Sequence, residues 1–149
     1  MYRHILVPTD GSPASERAQQ AAVQVARRLR ARITAVHVIA PYSPQAAAEI
    51  GVSRPAPLSR EQYLLAAERR ADMMLRRVTA LARAARVTAV RLTVVDDDTG
   101  NALVRTAREA GCDLIVMGSK GRRGIERIFA GSVSSDVLSN SHIATLICH

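Results

Sequence analysis

Leu114-Ile115-Val116-Met117, followed without a break by Gly118-Ser119-Lys120-Gly121-Arg122-Arg123-Gly124, is the stretch that decides the fold. Four consecutive apolar residues leave no polar alternation, the pattern of a strand covered on both faces in the middle of a parallel sheet. The glycines then end the strand abruptly. Before it, Asn101 to Ala110 carries a helical pattern closed by Gly111 as a C-terminal cap. Val87 to Val95 is a strand that stops at the acidic turn Asp96-Asp97-Asp98-Thr99-Gly100. Ser59 with Gln62 predicts a capping box that opens a long helix to about Ala85. Pro41, Pro44, Gly51, Pro55 and Pro57 punctuate residues 40–58, a long connection with room for a helical turn from Gln45 to Ile50. Arg32 to Ile39 is a further strand, and Ala14 to about Arg30 is a helix entered through Ser12 as N-cap and Pro13 as first residue. Arg3 to Val7 is a short apolar strand ending in the turn cluster Pro8-Thr9-Asp10-Gly11. Beyond the glycine-rich loop, Ser132 to Asn140 predicts a helix and Ile143 to Ile147 a last strand. Strands alternating with helices call for right-handed crossovers and a doubly wound parallel α/β sheet with helices on both faces. Residues 1–149 make a single domain.

Composition fits that sheet. Apolar residues make up 48% of the chain and aromatics only 3%, so the core is built from Val, Ile, Leu and Ala. No apolar run is long enough to span a bilayer, and the start of the chain is too short in its apolar part for a signal peptide. Cys112 and Cys148 lack metal-type spacing, and Cys112 reads as a small buried hydrophobe, so a cytoplasmic location is expected. The net charge is +8, and of the 21 basic residues only Lys120 is a lysine. Pairs such as Arg27-Arg28, Arg69-Arg70 and Arg76-Arg77 read as solvated faces of amphipathic helices. Without interleaved aromatics or a recognised DNA-binding motif, no specific nucleic acid and no membrane is expected as a partner.

In open α/β sheets, ligands bind beyond the carboxyl ends of the strands where strand order reverses. Two loops suit that crevice: Pro8-Thr9-Asp10-Gly11-Ser12, and the glycine-rich loop through Gly131-Ser132-Val133. Gly131, Ser132 and Val133 open a helix, where free N–H groups and the dipole favour an anion. Lys120, Arg122 and Arg123 add positive potential. The loop is no Walker A, because no glycine run ends in Gly-Lys-Ser/Thr, and the first turn lacks G-x-G-x-x-G. Phosphate binding is the expectation from these residues, against a loop merely shaped by its glycines.

Over nearly its whole length the chain resembles the universal stress protein family. The likeness is carried by Ile5-Leu6-Val7-Pro8-Thr9-Asp10-Gly11-Ser12, by His37-Val38 and by Asp113 to Gly118. It rests above all on the pattern G-x2-G-x9-G-S/T, matched by Gly118, Gly121, Gly131 and Ser132, which in the family separates ATP-binding members from the others. The resemblance implies a five-stranded sheet of order 3-2-1-4-5, with both loops flanking one crevice. It also implies ATP as ligand, with a Mg or Mn ion on the phosphates. By the same likeness Asp10 contacts adenosine, Val38 meets adenine through its backbone, and Pro8 and Met117 neighbour base and ribose. Gly118 and Gly121 line ribose and phosphates with Lys120 between them, and Gly131, Ser132 and Val133 hold the phosphates. The family's last strand often pairs across a homodimer, which points to residues 143–147, although the proline common before that strand is missing here.

No catalytic constellation and no metal-ligand cluster stands out. A hydrolase needs a positioned base near the γ-phosphate, and Asp10 is the one carboxylate expected in the pocket, while His37 reads as a structural strand residue. The expectation is a nucleotide-dependent sensor or regulator of the stress response. The alternatives are a slow ATPase or adenylyl-type transferase on the same fold, and an interaction protein that binds no nucleotide.

Overall fold

A computed structural model describes residues 1–51, 56–119 and 132–149. Along the chain come β1 (His4–Pro8), α1 (Pro13–Leu29), β2 (Arg32–Ile39), α2 (Pro44–Ile50), α3 (Arg60–Ala84), β3 (Ala89–Val95), α4 (Thr99–Glu109), β4 (Leu114–Gly118), α5 (Ser132–Asn140) and β5 (Ala144–Cys148). The strands form one parallel sheet in the order β3-β2-β1-β4-β5, as the resemblance implied.

Local chemistry sets the helix starts. The Ser12 hydroxyl accepts the Ser15 N–H at 3.1 Å and Pro13 follows it, so α1 begins there. Ser59 and Gln62 close their capping box with bonds of 3.2 and 3.0 Å, and α3 starts on it. The long connection after β2 holds more helix than a single turn: Ser43 accepts the Ala46 N–H at 3.0 Å and starts α2. Helix α4 begins two residues earlier than its pattern suggests. The Asp98 carboxylate accepts the Asn101 N–H at 3.0 Å, which makes it the cap and places Gly100 inside the helix.

Side chains alternate across the strands and fill two layers. Ile5, Val7, Ile33 and Val116 face α1 and α3, meeting Ala22, Ala26, Leu75 and Val78. Leu6, Val36, Ile115 and Met117 face the opposite way, toward Leu103 and Ala107 of α4 and Val137 of α5. Burying each large aliphatic side chain contributes about 1.5–3 kcal/mol. A satellite cluster of Ile39, Ala47, Leu58, Tyr63, Ala67 and Ala71 fastens α2 and α3 to the end of β2. Cys112 is buried as expected, and burial pushes its thiol up to about 11, which keeps it unreactive at neutral pH.

The start of β1 is pinned to β4 by charge. The Asp113 carboxylate accepts the N–H groups of Arg3 at 2.8 Å and His4 at 2.9 Å. Burial alone would raise its pKa, but these amides outweigh burial and hold it below the usual carboxylate range. His4 is buried, with Nε2 2.7 Å from the Thr34 hydroxyl and Nδ1 without a hydrogen-bond partner among the described residues. Burial, and then the Arg32 charge, lower its pKa from the ordinary 6.5. Both groups take up protons less readily folded than unfolded, so stability is full above their unfolded values and falls as pH drops. Denaturant unfolding at stepped pH is expected to show a first loss below about pH 6.5, abolished in His4→Gln. A second loss follows below about pH 4, from Asp113.

Candidate functional site

Beyond the carboxyl ends of β1 and β4 the sheet opens. The β1–β2 ladder stays in register as far as Pro8 opposite Val36, whereas β1 and β4 are paired at Ile5–Leu114 and Leu6–Ile115. From β1 the chain passes into α1 on one face, and from β4 into α5 on the other. That divergence makes the crevice at which open α/β sheets place their ligands.

The wall under β1 is a polar network. The Thr9 N–H donates to the Val36 carbonyl at 2.9 Å and ends the ladder. Buried beneath it, the Gln19 amide donates to the hydroxyls of Thr9 at 2.8 Å and Ser15 at 3.2 Å. His37 Nδ1 lies 2.7 Å from the Thr9 carbonyl; a carbonyl can only accept, so this nitrogen carries the proton. The half-buried Asp10 accepts the Ser12 N–H at 2.9 Å, which turns the chain into α1. Its expected role as a turn residue is therefore real, and it stands at the mouth of the crevice as well.

Val38 lies two residues past the end of the β1 ladder. Val36 points its carbonyl at β1, so by the two-residue period of a strand Val38 directs its N–H and C=O to the same side, where β1 has already turned away. The side chains of Pro8, Val38 and Met117 share the α4–α5 face of the sheet with Leu6, Val36 and Ile115. Gly118 has a packing reason of its own. A Cβ there would sit 2.7 Å from the carbonyl carbon and 2.8 Å from the oxygen of Ala14, so only glycine lets β4 approach the first turn of α1 so closely.

On the far side α5 starts at Ser132, which is exposed, and Val133 packs partly against the core layer beneath. The buried Ser134 hydroxyl reaches the Ser119 carbonyl at 3.5 Å, holding the helix N-terminus beside the end of β4. Its first N–H groups have no helical acceptor and carry the positive end of the dipole, a setting for an anion. Lys120, Gly121 and Gly131, with Arg122, Arg123 and Gly124, lie outside the described residues. Pro8, Asp10, Val38, Met117 and Gly118 lie at or just past the carboxyl ends of β1, β2 and β4, and Ser132 and Val133 at the start of α5. Sequence reasoning missed the Thr9–Ser15–Gln19–His37 network. Its signal was a polar pair, Ser15 and Gln19, four apart on a buried face otherwise made of Ala14, Ala18, Ala22, Val23 and Ala26.

Among the described residues no three His, Cys, Asp or Glu side chains converge on a common point, and no helix is long and apolar enough to cross a membrane. Comparison with known proteins agrees with the geometry. The family model of the universal stress protein family matches residues 1–149. A universal stress protein of Methanocaldococcus jannaschii is 30% identical, the match covering 99% of this chain and 82% of the relative. A universal stress protein solved in complex with cAMP is 28% identical, with a TM-score of 0.68 over 99% of this chain and 97% of that one. The structure of the Archaeoglobus fulgidus universal stress protein in complex with dAMP shares the fold at 20% identity, with a TM-score of 0.69 over 99% of this chain and 98% of that one.

Proposed function

The chain belongs to the universal stress protein family, and from that footing we propose that it binds ATP in the β1–β4 crevice and acts as a nucleotide-dependent regulator of the stress response. One observation carries the reading: the α5 N-terminus and the outward-directed backbone of Val38 flank the same opening, one suited to phosphate and the other to the edge of a base. The cAMP and dAMP held by two structural relatives support an adenine nucleotide. In this reading Val38 meets adenine through its backbone, Asp10 accepts from the ribose, and Pro8 and Met117 floor the base. Gly118 and Gly121 let the sugar and phosphates approach, with Lys120 beside them. Gly131, Ser132 and Val133 donate N–H groups, and Ser132 its hydroxyl, to the phosphates. A Mg or Mn ion fits only as a guest of the phosphates, because the crevice brings it no carboxylate cluster among the described residues. Two copies pair through residues 143–147 in the cytoplasm. Strand β5 is an outer strand, with Leu146 exposed, and such an edge favours a partner.

Mass spectrometry of nucleotide released from purified protein, together with ATP titration calorimetry on wild type and Gly131→Asp, tests the proposal. Wild type is expected to carry or bind ATP. Gly131→Asp should weaken binding by about 100-fold or more, because a carboxylate at the helix N-terminus competes with and repels phosphate. Neither nucleotide nor heat in wild type would sink the proposal, and equal heat in both proteins would move the site elsewhere. Multiple-turnover phosphate release lost in Asp10→Ala would make the protein an enzyme.

A further inference from the structure

Parallel topology collects the strand starts and the helix C-termini at the end of the sheet opposite the crevice. Across β1, β2 and β3 that end is lined with arginine. Arg3 precedes β1, Arg30 and Arg32 frame the entry to β2, Arg86 precedes β3, and Arg27 and Arg28 lie in the last turn of α1. These entries are adjacent: the Arg32 N–H donates to the Arg3 carbonyl at 2.9 Å, and the Ile33 N–H to the Thr88 carbonyl at 2.8 Å. With strands about 4.8 Å apart, the row spans about 10 Å.

All six side chains are exposed, and none joins an ion pair among the described residues, where Arg76, Arg77, Arg91 and Arg105 take the acidic partners. Asp113, at the same end, is already engaged by the amides of Arg3 and His4. A second observation is independent of charge. Arg30 and Arg86 hold left-handed backbone, with φ of 55° and 58°, and they are the non-glycine residues that do so among those described. Glycine is the default at such helix ends and spares the steric cost. The end of α4 shows that default, with Gly111 at φ 68°. The helix dipole accounts for Arg27 and Arg28, but it does not require a long cation where glycine fits better.

We propose that this end of the sheet binds the phosphate backbone of duplex nucleic acid without sequence preference. Guanidinium forks match phosphate oxygens in pairs. Their positions on three adjoining strand entries are fixed by the sheet and not by a flexible arm. Single-strand readers stack successive bases on several aromatics, and among the described residues near this end only Tyr2 offers one. Taken helix by helix, the arginines look like solvated faces; the topology brings them together.

Anisotropy of a short labelled duplex tests the proposal. Wild type is expected to bind with Kd of about 10⁻⁵ M at 50 mM salt, equally for unrelated sequences, with log K falling against log salt at a slope of about −4 for some four phosphates. Arg30→Gly combined with Arg86→Gly relieves the left-handed strain, so Tm is expected to hold or rise. Affinity should drop about tenfold while the slope falls to about −2. Arg3→Gln with Arg32→Gln, at exposed positions, should give a comparable loss. Duplex binding unchanged in both double variants, or absent in wild type at low salt, would overturn the proposal. So would capture by phosphatidylglycerol vesicles in place of duplex, which would make the surface a membrane contact.

Discussion

Replacing Gly118 with valine is expected to destabilise the domain by about 3 kcal/mol, the upper part of the range for overpacked sites. Most overpacking is relieved by neighbouring side chains that change rotamer. Here the obstacle is main chain: the added Cβ would lie 2.7 and 2.8 Å from the carbonyl carbon and oxygen of Ala14 and 3.0 Å from its Cβ. Relief requires α1 to lift from the sheet or β4 to bend, and either movement pulls apart the two walls of the crevice. Urea unfolding followed by circular dichroism should therefore show a lower midpoint with an unchanged slope. Tm should fall by about 6–12 °C at the sensitivity of domains of this size. Gly118→Ala is expected to show a smaller loss of the same kind. Wild-type stability in both variants would mean that the approach of β4 to α1 is not a constraint on the fold.

Tyr63→Ala is expected to cost about 3–5 kcal/mol, as for other large-to-small substitutions in a core. The ring is 2% exposed at the centre of the satellite cluster and meets Tyr42 edge-on at a centroid distance of 5.6 Å. Burial, and then the nearby Glu49, push its phenol above the ordinary range, so the hydroxyl stays a donor at neutral pH. It donates to the Ala40 carbonyl at 2.5 Å, just past the strand that presents Val38. Tyr63→Phe keeps the packing and should cost about 1 kcal/mol, the loss of one hydrogen bond. In Tyr63→Ala the segment from Ala40 through α2 should become sensitive to protease before global unfolding. Resistance equal to wild type would show that Tyr63 does not fasten it.

The sheet was legible because its signals are local and consistent. An unbroken run at Leu114 to Met117, the Ser12-Pro13 start and the Ser59–Gln62 box each carry their own mechanism, and each lies where the structure has it. Helix α4 was misjudged at its start because Asp96, Asp97 and Asp98 look alike in sequence, and only the backbone path selects Asp98 as the cap. Of the candidate site, the end of β4 at Gly118 and the start of α5 at Ser132 were legible, because local chain signals set both. What escaped was everything set by contacts across elements. The packing duty of Gly118 against Ala14 and the hold of His37 on Thr9 need partners far away in the chain. The same holds for the arginine row, whose members are ordinary one at a time.

The bonds from Arg3 and His4 to Asp113 join residues 110 and 109 positions apart. On a ribosome adding about 5–20 residues per second, β1 emerges roughly 5–20 s before the residue that anchors its start. During that interval β1 can pair with β2, while its other flank stays bare until β4 leaves the exit tunnel. The central strand β1 thus stays open on one flank until β4 is made, and the nascent half-sheet has to be kept from wrong partners until then.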